Sequence, residues 1–277
     1  MVLVGILSDF GLKDSYAAQM KAIILSISPA ATIVDISHDI ERHNIQQGMF
    51  VLASAVPYFP KDTIYLAVVD PGVGGSRRPL LLETKRSKFV GPDNGLLVLA
   101  AEKEGVVGAY HLTESRYFAE RVSQTFHGRD IFAHVAGHLA NGVPALLLGR
   151  PVSDYVRPRI AAPKLQGNKI QSTVLHIDGF GNIVTDVDSH LLDREKIIAG
   201  CTVKVEAGHM RREIPFCRGY SDAKPGELLA VVGGHGFLEF AVNQGDASRI
   251  IDVRVGSPIT IQRVGYRVSD KFQNEHL

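Results

Sequence analysis

Apolar runs rich in β-branched residues recur at residues 2–7, 32–36 and 63–69, and the intervals between them carry helical spacing. Residues 15–28 place Ala18, Met20, Ile23, Ile24 and Ile27 near one face, with Pro29 just beyond the end. Residues 44–56 repeat the pattern and are closed by Pro57 and Pro60. Strand, helix, strand, helix, strand at this spacing predicts a parallel sheet flanked by helices, the α/β class. Strands are further predicted at 79–84 and 88–90. Helices are predicted at 96–104 and 131–141, the latter capped at its C-terminus by Gly142. From 157 to 168 the texture changes, with Pro158, Pro163, Gly167 and Asn168 breaking the periodicity. This divides the chain into an α/β domain over 1–160, a linker over 161–168 and a second domain over 169–277. In the second domain, short runs at 169–177, 181–185, 202–205, 213–216, 228–232, 237–242 and 257–262 alternate with glycine-containing turns. They predict a smaller all-β unit, a barrel or a sandwich, followed by a loose polar tail from Ser269.

A net charge of +1, from 30 basic and 29 acidic residues, gives no long-range attraction to nucleic acid or to an anionic membrane. Two cysteines, Cys201 and Cys217, are too few for a disulfide framework or a cysteine zinc site. The first residues lack a basic stretch ahead of an apolar one, and no apolar run is long enough to span a bilayer. A cytoplasmic protein with a small-molecule substrate is the expectation.

Polar clusters fall where strands end: Asp9 after the first, Asp39 after the second, Asp70 after the third, then Asp93 and Asn94. His127 and Arg129 precede the helix at 131. In an open α/β sheet, ligands sit beyond the carboxyl ends of the strands. The densest cluster is D-P-G-V-G-G-S-R-R over residues 70–78, an acid and paired arginines joined by a glycine-rich turn. Alone it reads as an ordinary turn whose arginines are solvated. It is neither a Walker loop nor a dinucleotide fingerprint, since the residues those motifs require are absent. His134 and His138 have a zinc-compatible spacing, but the glutamate of the metalloprotease pattern is missing. Asp9, Asp39 and Asp70 can be read as a magnesium set, yet no phosphate-binding lysine loop accompanies them. No metal is expected.

Asp70, Arg77 and His127 together offer a carboxylate, a permanent cation and an imidazole. Such a set can activate water without a metal. The guanidinium stabilises developing negative charge, the imidazole, with a reference pKa of about 6.5, takes up or relays a proton, and the carboxylate orients and accepts. This suits a substrate that needs a strong nucleophile and no help for its leaving group.

The motifs S-D-F-G, D-P-G-V-G-x-x-R-R, G-P-D-N-G, F-H-G-R-D, I-D-x-F-G-N-x-x-T-D and G-F-L-E-F-A-V-N occur in this order. The set resembles the S-adenosyl-L-methionine (SAM) hydroxide adenosyltransferase family, relatives of the bacterial fluorinase and chlorinase. The resemblance runs from about residue 2 to about residue 262 and implies an α/β domain followed by a β-barrel-like one. It also implies a homotrimer, with substrate between one subunit's first domain and a neighbour's second.

The implied activity is hydrolysis of SAM to adenosine and L-methionine, with no cofactor. Asp70, Arg77 and His127 match the family's water-activating set, which the halogenases lack. Asp9 would accept hydrogen bonds from the ribose hydroxyls, and Asp178 would hold the methionine ammonium. Phe180 would pack on adenine and Asn182 would bond its edge. The turn through Gly234 and His235, and the pair Asn243 and Gln244, would close the site through backbone groups. Relatives often carry serine at the position of Gly234, so backbone amides or His235 must meet the methionine carboxylate here. Arg78 is expected to be a bystander. The competing readings are a SAM-dependent halogenase-type synthase and a non-catalytic SAM- or adenosine-binding module.

Overall fold

A computed structural model describes residues 2–158 and 162–266. The chain divides into two compact units, Met1–Arg159 and Ile160–Leu277. The expected boundary at 160 and the tail from Ser269 lie outside the described residues.

The first unit contains β1 (Leu3–Ser8), α1 (Tyr16–Ile27), β2 (Thr32–Ser37), α2 (Ile45–Ala55), β3 (Ile64–Val68), β4 (Pro79–Thr84), β5 (Lys88–Pro92), α3 (Val98–Glu104), β6 (Val106–Leu112), α4 (His134–Ala140) and β7 (Gly149–Pro151). Its seven strands lie in the order β2-β1-β3-β5-β4-β6-β7. The first four are parallel, and β4, β6 and β7 extend the sheet antiparallel. Strand β3 shows why the sheet is central. Ile64, Leu66 and Val68 point into the layer built with Met20 and Ile24 of α1 and Val135 of α4. Tyr65, Ala67 and Val69 point into the opposite layer with Leu52 of α2 and Leu97. Successive side chains alternate faces, so a strand covered on both sides must be apolar throughout. From β1 the chain steps outward to β2 and then returns past β1 to β3. That reversal opens a crevice beyond the carboxyl ends of β1 and β3, the usual ligand position in such sheets. Asp9 and Asp70 follow those two ends.

Two features of this unit depart from the sequence pattern. Strands β6 and β7 were not anticipated. The helix expected over 131–141 begins earlier, as a wide π-helical turn, Gly128–Ala133, that runs into α4. Gly142 ends it at positive φ (89°), the left-handed conformation glycine tolerates at a helix C-terminus.

The second unit contains β8 (Lys164–Gln166), β9 (Lys169–Ile177), β10 (Ile183–Asp188), the short helix α5 (Ser189–Arg194), β11 (Cys201–Ala207), β12 (Met210–Pro215), β13 (Leu228–Val232), β14 (Phe237–Val242) and β15 (Pro258–Tyr266). The strand order is β12-β11-β15-β9-β10-β14-β13, with β8 paired to β9 and every named pairing antiparallel. Phe216, just past β12, bridges to Ala230 of β13, so the two ends of the order meet and the sheet is a nearly closed barrel. Closure removes exposed strand edges. The segment expected as a linker is partly a hairpin, because Gly167 and Asn168 form a two-residue turn between β8 and β9.

Candidate active site

The glycine-rich turn after β3 folds back so that Arg77 meets Asp70. Arg77 Nε donates to Asp70 Oδ1 at 2.9 Å and Nη2 donates to Oδ2, a two-pronged fork. The same Nη2 lies 2.8 Å from His127 Nδ1. A guanidinium only donates, so Nδ1 accepts and the neutral ring carries its proton on Nε2. Burial, and then the charge of Arg77, hold the His127 pKa below its ordinary 6.5. The side chains of Asp70 and Arg77 are only 5% and 10% exposed, and the guanidinium lies over the Phe132 ring, 5.2 Å from its centre. Arg77 Nη1 is buried without a protein partner among the described residues.

Two loops must approach closely for this. Gly74, at φ 75°, makes the approach possible, since a Cβ there would fall 2.2 Å from the carbonyl oxygen of Gln124. That residue belongs to the loop that delivers His127. The glycine thus brings two loops together. Asn94 steadies the other side, donating from Nδ2 to the carbonyl of Val69 at 2.8 Å, immediately before Asp70.

A cavity of about 390 Å³ opens at the crevice. Asp9, Phe10, Tyr16, Asp70, Phe126 and His127 are among its walls. Arg77 stands directly behind this wall, with its guanidinium on both Asp70 and His127. The rings of Phe10, Tyr16 and Phe126 pack together with centres 5.3–5.7 Å apart. Asp9 Oδ2 accepts from the backbone N–H of His43 at 2.9 Å, which orients the carboxylate and leaves Oδ1 without a protein donor in the described contacts. Arg78 is tied elsewhere, to Asp93 and Asp154. Asp93 is buried by that pairing and by a hydrogen bond from Val156, and is a structural residue of the first unit. Arg129 pairs with Asp130 at the start of the π-helical turn.

The second unit gathers the remaining predicted residues on its turns. Asp178 Oδ1 accepts from the N–H groups of Phe180 and Asn182, both at 2.9 Å, and Oδ2 accepts from Asn182 Nδ2 at 2.9 Å. Asp178 is therefore the organiser of its own turn, and Asn182, 7% exposed, spends its amide N–H on it. Phe180 stands at the tip, 79% exposed, with its ring faces open.

His235, expected with the backbone amides of its turn to meet the methionine carboxylate, has its ring nitrogens in contacts within the protein. Its Nδ1 accepts from Phe237 N at 3.1 Å and its Nε2 lies 3.1 Å from the buried carboxylate of Glu239, so both ring nitrogens are engaged. Glu239 also accepts from the Tyr220 hydroxyl at 2.5 Å, and burial followed by that carboxylate raises the phenol pKa. Gly234 is exposed, with no heavy atom within 4 Å of where a Cβ would stand. Asn243 also differs from expectation. Its backbone N–H and carbonyl pair with Glu227 and Gly226, and its side chain donates to the carbonyl of Ala223 at 2.7 Å. It pins the β13–β14 hairpin. Gln244 is exposed at φ 57°.

The aromatic wall, the His43 backbone donor and a hydrogen-bonded chain behind Asp9 were not singled out from sequence. Only the chain left a trace, as serines and a histidine at the ends of the adjacent strands β1 and β2.

Comparison with known proteins gives a consistent result. The family model for the SAM hydroxide adenosyltransferase N-terminal domain matches residues 4–149, and that for the C-terminal domain matches residues 172–260. An (R)-S-adenosyl-L-methionine hydrolase of Salinispora arenicola is 35% identical over 92% of this chain and 95% of its own length. One from Thermus thermophilus is 34% identical, covering 92% and 97%. A fluorinase of Actinoplanes is 25% identical over 94% and 97%. Among solved structures, an uncharacterised conserved protein of Thermotoga maritima superposes with a TM-score of 0.90 at 38% identity, covering 94% of this chain and all of that one.

Proposed function

The chain belongs to the SAM hydroxide adenosyltransferase family, and from that premise we propose that it hydrolyses SAM to adenosine and L-methionine at the crevice beyond β1 and β3. The observation that carries this reading is the convergence of Asp70 and His127 on one cavity that also contains Asp9. Water enters between Asp70 and His127. It accepts a hydrogen bond from His127 Nε2–H and donates one to the Asp70 carboxylate. His127 thus orients the attacking oxygen and steadies the negative charge growing on it, and the proton leaves by way of Asp70 to solvent. The oxygen bonds to ribose C5′, the C5′–S bond breaks, and its electron pair stays on sulfur. Methionine departs as a neutral thioether and needs no acid, metal or cofactor. Holding the reactants in line can supply roughly 7–11 kcal/mol in favourable cases.

Asp9 takes the ribose hydroxyls, with one oxygen held by His43 and the other turned to the diol. Phe180 supplies a face for adenine, and Asp178 supplies a carboxylate for the methionine ammonium. The active species is a homotrimer, in which these second-unit residues come from a neighbouring copy, and it works in the cytoplasm. No helix among the described residues is long and apolar enough to cross a membrane. The hydrolases named above are specified by R configuration at sulfur, and the same preference is extended to this chain.

Incubation with each sulfur epimer of SAM, followed by chromatography, should yield adenosine from the R form faster than from the S form. Oxygen-18 water should label the adenosine 5′-hydroxyl. Adenosine at the no-enzyme level would sink the reading. A 5′-halogenated nucleoside formed only with added halide would replace it with the synthase.

A further inference from the structure

Behind Asp9 lies a chain of polar groups that the reaction does not use directly. The Ser8 hydroxyl, fully buried at the end of β1, lies 2.7 Å from His38 Nδ1. His38 Nε2 lies 3.1 Å from Asp35 Oδ1, and Asp35 Oδ2 accepts from Lys21 Nζ at 2.6 Å. The His38 side chain is 1% exposed and that of Asp35 is 42% exposed, so the chain runs from the surface to the floor of the crevice. A carboxylate only accepts, so Nε2 carries the proton in the neutral ring. Nδ1 then accepts from the Ser8 hydroxyl, whose oxygen receives a long hydrogen bond (3.4 Å) from the Phe10 N–H. The carbonyl of His38 accepts from Gly11 N at 2.7 Å. His38 therefore grips the Asp9 loop on both sides, through Ser8 before it and Gly11 after it. A shift of register between β1 and β2 sets this up, since Ile6 pairs with Asp35 but Leu7 with Ser37. The skipped residue advances the end of β2 toward Ser8.

We propose that His38, backed by Asp35, is a positioning residue that sets the height and angle of Asp9 for the ribose hydroxyls. The proposal rests on the reading of Asp9 given above. A fully satisfied buried polar network specifies one arrangement, and a half-satisfied one costs more than an apolar core. The chain thus fixes a loop whose side chains, Asp9 and Phe10, line the cavity.

Calorimetry with adenosine and 2′-deoxyadenosine on the full-length protein tests both layers. Wild type should prefer adenosine by about tenfold or more, the worth of a hydrogen bond to a charged group. In His38→Asn and Asp35→Ala the preference should fall toward about twofold, while Asp35→Asn, which keeps an acceptor for Nε2–H, should retain most of it. Loss of fold alone would lower the melting temperature and leave this ratio unchanged. Asp35 is half exposed, so Asp35→Ala decides the matter if His38→Asn fails to fold. A wild-type preference that survives in the folded variants overturns the positioning role. Absence of any preference in wild type overturns the ribose assignment of Asp9, and the proposal with it.

Discussion

Asp70 and Asp178 are alike in sequence and unlike in construction. Each follows a strand and opens a turn containing glycine. Asp70 is held by a side chain, the Arg77 fork, and through it is joined to His127, fifty positions beyond the arginine. Asp178 is held by the N–H groups of its own turn and by the Asn182 amide four residues on. The first carboxylate is a node in a long-range network at a buried corner. The second is a local organiser that presents an exposed ring. Damage to the first should spread to distant groups, whereas damage to the second should stay in its turn.

The largest effect should come from breaking the first construction. Arg77→Ala removes both prongs of the fork and the donor to His127 Nδ1, leaving Asp70 buried without its cation. Loss of one partner of a buried pair costs about 3–5 kcal/mol, which a thermal melt would register. Turnover should fall by about a thousandfold, near the upper range for loss of positioned proton-handling and charge-stabilising groups. The Michaelis constant should change far less. Arg77→Lys keeps the charge but not the fork and should recover little of the loss. A lysine variant with near-native turnover would mean that charge alone suffices and the geometry is incidental.

The network also makes the first corner sensitive to acid. The folded-state pKa of His127 is lowered from 6.5, by burial and then by Arg77. A histidine with a depressed folded pKa contributes stability that is fully present above pH 6.5 and is lost as pH falls through the folded value. Activity should follow the same sign, because protonated Nδ1 cannot accept from Arg77. The rate profile should therefore show an acid limb that lies below pH 6.5, falling about tenfold per pH unit. That limb should be missing from the residual activity of His127→Gln. Persistence of the limb in that variant would move the titration to another group.

At the second corner the expected effect is smaller and of another kind. Asp178→Ala frees the N–H groups of Phe180 and Asn182 and loosens the presentation of the ring. The Michaelis constant should rise by about ten- to a hundredfold, the worth of one or two charge-assisted hydrogen bonds, with turnover nearly kept. Steady-state kinetics separates this outcome from that of Arg77→Ala. An equal fall in turnover would show that the two corners are coupled.

What could be read from the chain follows the same division. The parallel core was legible because a strand covered on both faces leaves an uninterrupted apolar run, as at residues 63–69. Strand β6 was not legible, since Gly108 and His111 interrupt its pattern and its burial is partial. Asp178, Phe180 and Asn182 lie close in sequence, so their grouping was visible. Their internal bonding was not, because one carboxylate can serve either a ligand or its own turn. Asp70, Arg77 and His127 could be grouped by their chemistry and matched to a family set by the resemblance, but their contact was not legible, since periodicity does not say which loops meet at a sheet end. The Ser8–His38 bond joins residues thirty apart, on strands whose adjacency only the fold declares.

The smallest predicted change adds a group to the second unit. Gly234 has open space around a hypothetical Cβ, and its φ is not positive, unlike that of Gly236 at 83°. A serine there fits without strain. Because His235 has both ring nitrogens engaged, a hydroxyl at 234 would be a new donor for the methionine carboxylate, the role the resemblance assigns to serine at this position. Gly234→Ser should lower the Michaelis constant for SAM by about three- to tenfold, the ordinary net worth of one hydrogen bond at an exposed position, with turnover within about twofold. The neighbouring position is the control. A Cβ on Gly233 would fall 2.3 Å from Glu239 Oε2, so Gly233→Ser must break the contact among Glu239, His235 and Tyr220, and should weaken binding instead. If Gly234→Ser leaves the Michaelis constant unchanged, the carboxylate is not held by this turn, and the second unit contributes through the Asp178 turn alone.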